Sequence, residues 1–368
     1  MDFMFTEEQD QFREVVARFM GDKFPPTVVR RLMATDDGVD REIWQQACGE
    51  LGLAGIHLPE AHGGAGFGAV ELGIAMEEQG RSLFCGPFLS SAVMAAYAID
   101  LAGDADAKSR LLPQIASGER IATFAVCEEH ALWSADDCQL TAEKSSNGYH
   151  LTGTKRFVID GMIAQDIIVI GRTPEGLFLF CVDAESPGVS RSAQTPMDPT
   201  RKIAEITFQG TPAALISGDR TVALDPIYDA VLIAFASEMI GGAQALLQSI
   251  IDYTGLRVQF GRTIGSFQAI KHRSADAYVM VELAKAGAYQ AAQLLASGAP
   301  ATAAASLAKA TASEAYVHVA KECIQFHGGI GFTWENDTHL WFKRAKSSEV
   351  FLGTPAQHRE RMLQAMGV

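Results

Sequence analysis

Asp166-Ile167-Ile168-Val169-Ile170 and Leu177-Phe178-Leu179-Phe180-Cys181-Val182 are two short apolar runs near the middle of the chain. Their length and their β-branched and aromatic content predict strands. Similar runs lie at 121–126, 149–151, 157–159 and 204–208, with turn pairs at Asn147-Gly148 and Pro187-Gly188. No helical pattern alternates with them, so a doubly wound α/β sheet is not expected. Many short strands divided by turns predict a compact β barrel or sandwich over 121–224.

Outward from this region the pattern becomes helical on both sides. Thr6 with Gln9 forms a capping box, in which each side chain satisfies an orphan backbone N–H. Phe12, Val15, Val16, Phe19 and Met20 then recur at helical spacing. Further helices are expected near 41–51, 68–81 and 88–101, interrupted at 53–68 by Pro59, Gly63, Gly64 and Gly66. Beyond 225 the chain is alanine-rich, and helices at 226–255, 266–296, 300–326 and 340–366 would make a four-helix bundle. The expected fold is mainly α with a central β domain: an N-terminal helical domain at 1–120, a barrel-like middle domain at 121–224, and a helical bundle at 225–368.

The 368 residues suffice for two or three domains of about 100–200 residues each. Net charge is −14 with no block of like charges, which speaks against nucleic acid and anionic membranes as partners. The cysteines Cys48, Cys85, Cys127, Cys138, Cys181 and Cys323 are scattered, without a C-x-x-C pair, as expected of reduced thiols and of no metal cluster. Asp2, Glu7 and Glu8 give the start the wrong charge for a signal peptide. No unbroken run of about 18 apolar residues is present. A cytoplasmic location is therefore expected.

Four motifs stand in order along the chain: Phe5-Thr6-Glu7-Glu8-Gln9; Glu50-Leu51-Gly52-Leu53-Ala54-Gly55-Ile56 with Pro59-Glu60-Ala61-His62-Gly63-Gly64-Ala65-Gly66; Arg257-Val258-Gln259-Phe260-Gly261-Arg262 with Phe267-Gln268; and Gln325-Phe326-His327-Gly328-Gly329-Ile330-Gly331-Phe332. In this order and spacing the chain resembles the acyl-CoA dehydrogenase family along its whole length. The resemblance implies FAD, an acyl-CoA thioester substrate, an electron-transfer flavoprotein as acceptor, and a dimer-of-dimers assembly. In the family, one subunit lends residues to the ADP half of its partner's flavin. That role falls here on Arg257, Phe260, Gln268, Gln325, Gly328 and Gly329. An arginine offers a planar fork of donors to a diphosphate, and glycines admit phosphate oxygens close to backbone N–H groups. Phe157, Phe267, Gly353 and Thr354 are the further cofactor-binding positions that the resemblance implies.

The residues that would hold the chain's own flavin depart from the family pattern. Cys127-Glu128-Glu129-His130-Ala131-Leu132-Trp133-Ser134 stands where the family has Thr-Glu-Pro-Gly-x-Gly-Ser-Asp. Phe157-Val158-Ile159 replaces Trp-Ile-Thr, and isoleucine has no hydroxyl to donate to the flavin. The family's base in Tyr-Glu-Gly-Thr becomes Leu352 of Phe351-Leu352-Gly353-Thr354, and its alternative position falls on Val231 or Leu232. None of these accepts a proton. Asp229 and Glu349 are the nearest substitutes. Glu238 is read as a bundle or interface residue, and His130 and His327 as structural or loop residues. The resemblance thus leaves three functions open: the base-lacking subunit of a heteromeric acyl-CoA dehydrogenase acting on bulky or steroid side-chain thioesters, an active homotetramer with a displaced base, or a scaffold that has lost FAD. No catalytic residue is assigned.

Overall fold

The computed structural model describes residues 5–129, 133–146 and 148–368. Asn147 of the expected turn lies outside them. In chain order the elements are α1 (Glu7–Lys23), α2 (Pro26–Met33), α3 (Arg41–Gly49), α4 (Ala69–Arg81), a π-helical stretch Phe88–Ala95 running into α5 (Ala96–Ala102), and α6 (Ala105–Ala116). Strands β1 (Ala122–Ala125), β2 (Thr141–Ser145), β3 (Gly148–Ile159), β4 (Asp166–Thr173), β5 (Gly176–Asp183), β6 (Val189–Gln194) and β7 (Ile203–Leu215) follow. The chain ends with α7 (Leu224–Leu256), a small hairpin β8 (Val258–Gln259) and β9 (Arg262–Thr263), α8 (Gln268–Ala296), α9 (Thr302–His327), α10 (Thr338–Val350) and α11 (Pro355–Ala365).

The contacts divide the chain into two compact units. One takes in Arg31–Glu71 and Cys85–Val231; the other runs up to Arg30 and includes Leu72–Phe84 and Leu232–Val368.

In the first unit the strands close on themselves. β4 pairs with β5, β5 with β7, β7 with β3, β3 with β2, and β2 returns to β4 through Thr141 and Arg172. The closure is narrow, one residue pair between β2 and β4 and two between β5 and β7. β1 adds in parallel to β4, and β6 pairs with β7. Leu140, Leu151, Val169, Phe180, Ile206 and Phe208 form its core. The two expected short runs at 149–151 and 157–159 belong to one strand, β3. Register shifts against β7 at Leu151/Thr152 and Lys155/Val158 break the apolar alternation that a regular strand would display.

In the second unit, the Thr6–Gln9 capping box starts α1 as expected. α1 is tied down by charge as well as apolar packing. Arg13 bridges Glu77 and Glu78 of α4, both at 3.1 Å, and donates to the Tyr289 hydroxyl of α8. Glu77 is fully buried and also receives Lys285 at 2.9 Å and the Tyr289 hydroxyl. Burial alone would raise its carboxyl; Lys285 and Arg13 outweigh that and hold it below the usual range.

α4 and α7 approach so closely that a Cβ on Gly80 would meet the Glu238 carbonyl oxygen at 1.8 Å, and one on Gly241 the Glu77 carbonyl oxygen at 1.8 Å. Larger residues would drive the helices apart. On composition α7 is long and apolar enough to cross a membrane, a property that the lack of an unbroken apolar run does not reveal. Since 89% of its most apolar window is buried inside the protein, core packing accounts for it.

The expected single helix at 340–366 is two. Leu352 and Gly353 have φ of 58° and 96°, which ends α10. Thr354 then opens α11 with a capping box to Gln357 and Pro355 in the first turn.

Candidate functional site

The six residues assigned to a partner's cofactor, and Phe267 with them, gather where α7 ends, the β8–β9 hairpin turns, α8 begins and α9 ends. Arg257 follows the last turn of α7, its N–H bonded to the Tyr253 carbonyl at 2.9 Å, and its side chain is exposed. Phe260 sits at the hairpin tip with φ of 55° and is 92% exposed. Arg262 lies 4.0 Å over the Phe267 ring and braces the hairpin against the start of α8. Gln268 and Gln325 are exposed at the first turn of α8 and the last turn of α9.

The two helix ends are joined by Tyr253, which stacks on His327 with centroids 4.2 Å apart. Arg273 of α8 adds an ion pair to Glu322 at 2.6 Å and lies over the Phe326 ring. Gly328 stops α9 with φ of 64°, a backbone suited to glycine, and a Cβ there or on Gly329 would meet nothing within 4 Å of this chain. The space over this turn is open. Leu256, Phe260, Ile330, Phe332 and Trp334 expose apolar surface around it, each at 51% or more. An exposed arginine and a glycine turn with open space fit the anionic half of a dinucleotide.

Gly353 and Thr354 are not part of this group. Their turn is held by Lys309, eighteen residues before His327 on α9, about 27 Å away at 1.5 Å per residue. The same unit thus carries two separate locations.

The second location is apolar where a base is needed. Leu352 is fully buried, as are Val231 and Leu232 at the other candidate position. The Leu352 carbonyl accepts from His358 Nε2 at 2.6 Å, and Lys309 Nζ donates to the carbonyls of Ser348 at 3.1 Å and Gly353 at 3.0 Å. Burial and the nearby Lys309 push His358 down to about 4, so its ring is neutral at pH 7. Of the two substitutes, Glu349 pairs with Lys346 one turn back on its own helix. Asp229 is 5% exposed near the start of α7. Glu238 is a bundle residue: its carboxylate meets Arg344 at 2.7 Å, both side chains nearly buried. His327, also buried, bonds the Cys323 carbonyl through Nδ1 at 2.8 Å.

In the barrel unit, the second bulge of β3 sets Phe157 at φ of 54° between Lys155 and Val158. Ile159 is buried, and its carbonyl accepts from the Thr123 hydroxyl at 2.7 Å. Its side chain offers no donor to a flavin, so this position does not fit the cofactor as the family's threonine would. In the altered loop, His130 lies outside the described residues, with Ala131 and Leu132. Glu128 is fixed by Lys155 Nζ at 2.7 Å and by the N–H groups of Gln139 and Leu140 at 2.9 and 3.0 Å. Burial would raise its carboxyl, but Lys155 and those amides hold it below the usual carboxylate range. Trp133 packs against Phe124 at 5.1 Å and Tyr228 at 5.4 Å. Sequence reading missed Lys155 and Lys309, both fully buried, because an isolated lysine carries no burial signal of its own.

Comparison with known proteins agrees with this anatomy. The acyl-CoA dehydrogenase N-terminal domain matches residues 6–119, and the acyl-CoA dehydrogenase C-terminal domain matches residues 233–367. The chain belongs to the acyl-CoA dehydrogenase family, which implies a flavin and an oxidoreductase acting on acyl-CoA. It is 34% identical to acyl-CoA dehydrogenase IpdE2 of Mycobacterium tuberculosis, over 97% of this chain and 96% of that protein. Among solved structures it is similar to the Tcur3481-Tcur3483 steroid ACAD, with a TM-score of 0.88, 30% identity and 98% of each chain covered. It is also similar to the ChsE4-ChsE5 complex of Mycobacterium tuberculosis, with a TM-score of 0.90, 28% identity, and 100% of this chain and 99% of that one covered.

Proposed function

We propose that this chain is the base-lacking subunit of a heteromeric, FAD-dependent acyl-CoA dehydrogenase that oxidises bulky, steroid side-chain thioesters. Its homologous partner supplies the base. The observation that carries this reading is the contrast between two places about 27 Å apart along α9. At one, Arg257, Phe260, Gly328 and Gly329 stand open to receive a partner's cofactor; at the other, a buried Leu352 fills the place of the base. The steroid and two-component names of the structural neighbours support the substrate class and the partner.

In this complex the chain's residues bind rather than transfer protons. Arg257 would neutralise the diphosphate, and the Gly328–Gly329 turn would admit its oxygens to backbone N–H groups. Phe260, exposed at the hairpin tip, would supply the apolar contact that keeps water from the ADP half. Bound flavin would accept the β-hydride, with an electron-transfer flavoprotein as the onward acceptor. Removal of the α-proton falls to the partner's carboxylate. Arg257→Ala, introduced into the complex with a base-bearing homologue, removes a charge-assisted contact worth about 1.5–3 kcal/mol. Flavin affinity, read as retention on gel filtration, falls about tenfold or more. Unchanged retention would remove Arg257 from the cofactor site and with it the lending role.

A further inference from the structure

Lys309 is fully buried in the middle of α9 and reaches across to the turn between α10 and α11. Its Nζ lies 3.1 Å from the Ser348 carbonyl, 3.0 Å from the Gly353 carbonyl and 3.0 Å from the Ser313 hydroxyl. The Glu349 carbonyl stands farther off, at 3.5 Å. The turn so held contains Leu352 at φ of 58°, an uncommon backbone for a branched residue that persists only where its surroundings impose it. The turn is also tied back to α10 by backbone bonds, from Phe351 N–H to the Ser347 carbonyl at 3.1 Å and from Gly353 N–H to the Val350 carbonyl at 3.2 Å.

We infer that Lys309 is the positioning residue of the residue-352 site, closing the turn that fixes Leu352, and that it does so as a group that gains and loses its proton in place. The surroundings accept either state. As an ammonium it donates to two carbonyls and the Ser313 hydroxyl. As a neutral amine it keeps two N–H donors for the carbonyls and presents a lone pair to the same hydroxyl, which can turn its one proton to the amine from the Lys309 carbonyl that it otherwise bonds at 2.8 Å. Burial disfavours the charge and lowers the lysine to about 7. The groups facing it do not reverse that. Glu349 of α10 favours the cation but is itself paired with Lys346. His358 of α11 is pushed down to about 4 and stays neutral through this range. α7 presents the Phe235 ring, 5.7 Å from Nζ. This inference goes beyond the proposed function, since it holds whether or not the chain lends to a partner.

The sign follows from linkage. Opening the turn hydrates Lys309 and returns it toward its ordinary value of about 10.4. Between about 7 and 10 the open form binds more protons than the closed form, so the closed form gains about tenfold per pH unit. The test is amide hydrogen exchange at Phe351 and Gly353 in the intact chain from pH 6 to 9. Intrinsic exchange rises about tenfold per pH unit, so in the wild type the observed rate climbs below pH 7 and levels off above it. In Lys309→Met, whose side chain does not titrate, the rate climbs throughout and exceeds that of the wild type at pH 9. A wild-type rate that keeps rising tenfold per unit through pH 9 would overturn the inference without recourse to any variant, as would identical profiles in the two proteins.

Discussion

Arg344→Met probes the packing that sets α10, and hence the residue-352 turn, against α7. Arg344 is 3% exposed and Glu238 6% exposed, with 2.7 Å between Nη1 and Oε1. A second guanidinium nitrogen reaches the Phe84 carbonyl at 3.4 Å. Both side chains lie almost wholly out of water, so loss of this cation leaves the Glu238 carboxylate with less compensation for its burial. Breaking a buried pair in this way costs about 3–5 kcal/mol. With a urea slope of about 2–3 kcal/mol per molar for a chain of this size, the unfolding midpoint falls by about 1–2.5 M. Glu238→Leu combined with Arg344→Met removes both charges, and apolar replacement of a buried pair is often neutral. The double variant is therefore expected within about 1 kcal/mol of wild type, a coupling of several kcal/mol against the ~0.5 kcal/mol typical of independent sites. Circular dichroism in urea measures all four proteins. A midpoint loss under about 0.3 M in Arg344→Met, or additive losses in the double variant, would refute the buried-pair reasoning.

Leu352→Glu places a carboxyl in a fully buried site, where desolvation raises its pKa. Slow exchange of the thioester α-proton with deuterated solvent is expected above neutral pH, well short of the 10²–10⁴-fold that a tuned base supplies; mass spectrometry of the recovered thioester reads it. For Glu128→Gln the informative variable is pH. Lys155 and two amides hold the wild-type carboxyl low, so its contribution is full above the unfolded value of about 4.3 and fades as pH falls through the lowered folded value. The stability gap between wild type and Glu128→Gln should be widest at pH 6–7 and narrow on acidification, measured as urea midpoints at each pH.

The motifs at 50–66, 257–268 and 325–332 made the family legible because each fixes glycines where the backbone takes a positive φ, as at Gly52, Gly63, Gly66, Gly261 and Gly328. Asp166–Thr173 and Gly176–Asp183 were legible because burial on both faces leaves an unbroken apolar run. β2 and β6 read Thr-Ala-Glu-Lys-Ser and Val-Ser-Arg-Ser-Ala-Gln; with one buried residue between them, Ala142, they give no apolar alternation to find. The break between α10 and α11 did carry a signal in Gly353-Thr354-Pro355, a stop followed by a cap and a first-turn proline. Apolar periodicity on either side masked it. Lys309 had no signal, since a lysine in an alanine-rich helix looks like surface spacing until the tertiary fold buries it.

Dehydrogenation of a steroid side-chain acyl-CoA by this chain purified alone, supplied with FAD and an artificial electron acceptor, tests the account most directly. With Leu352, Val231 and Leu232 all buried and apolar at the base positions, the expected result is no turnover above background, and turnover on addition of a base-bearing homologous subunit. Robust turnover by the chain alone, abolished by Asp229→Asn or Glu349→Gln, would contradict it and establish a displaced base.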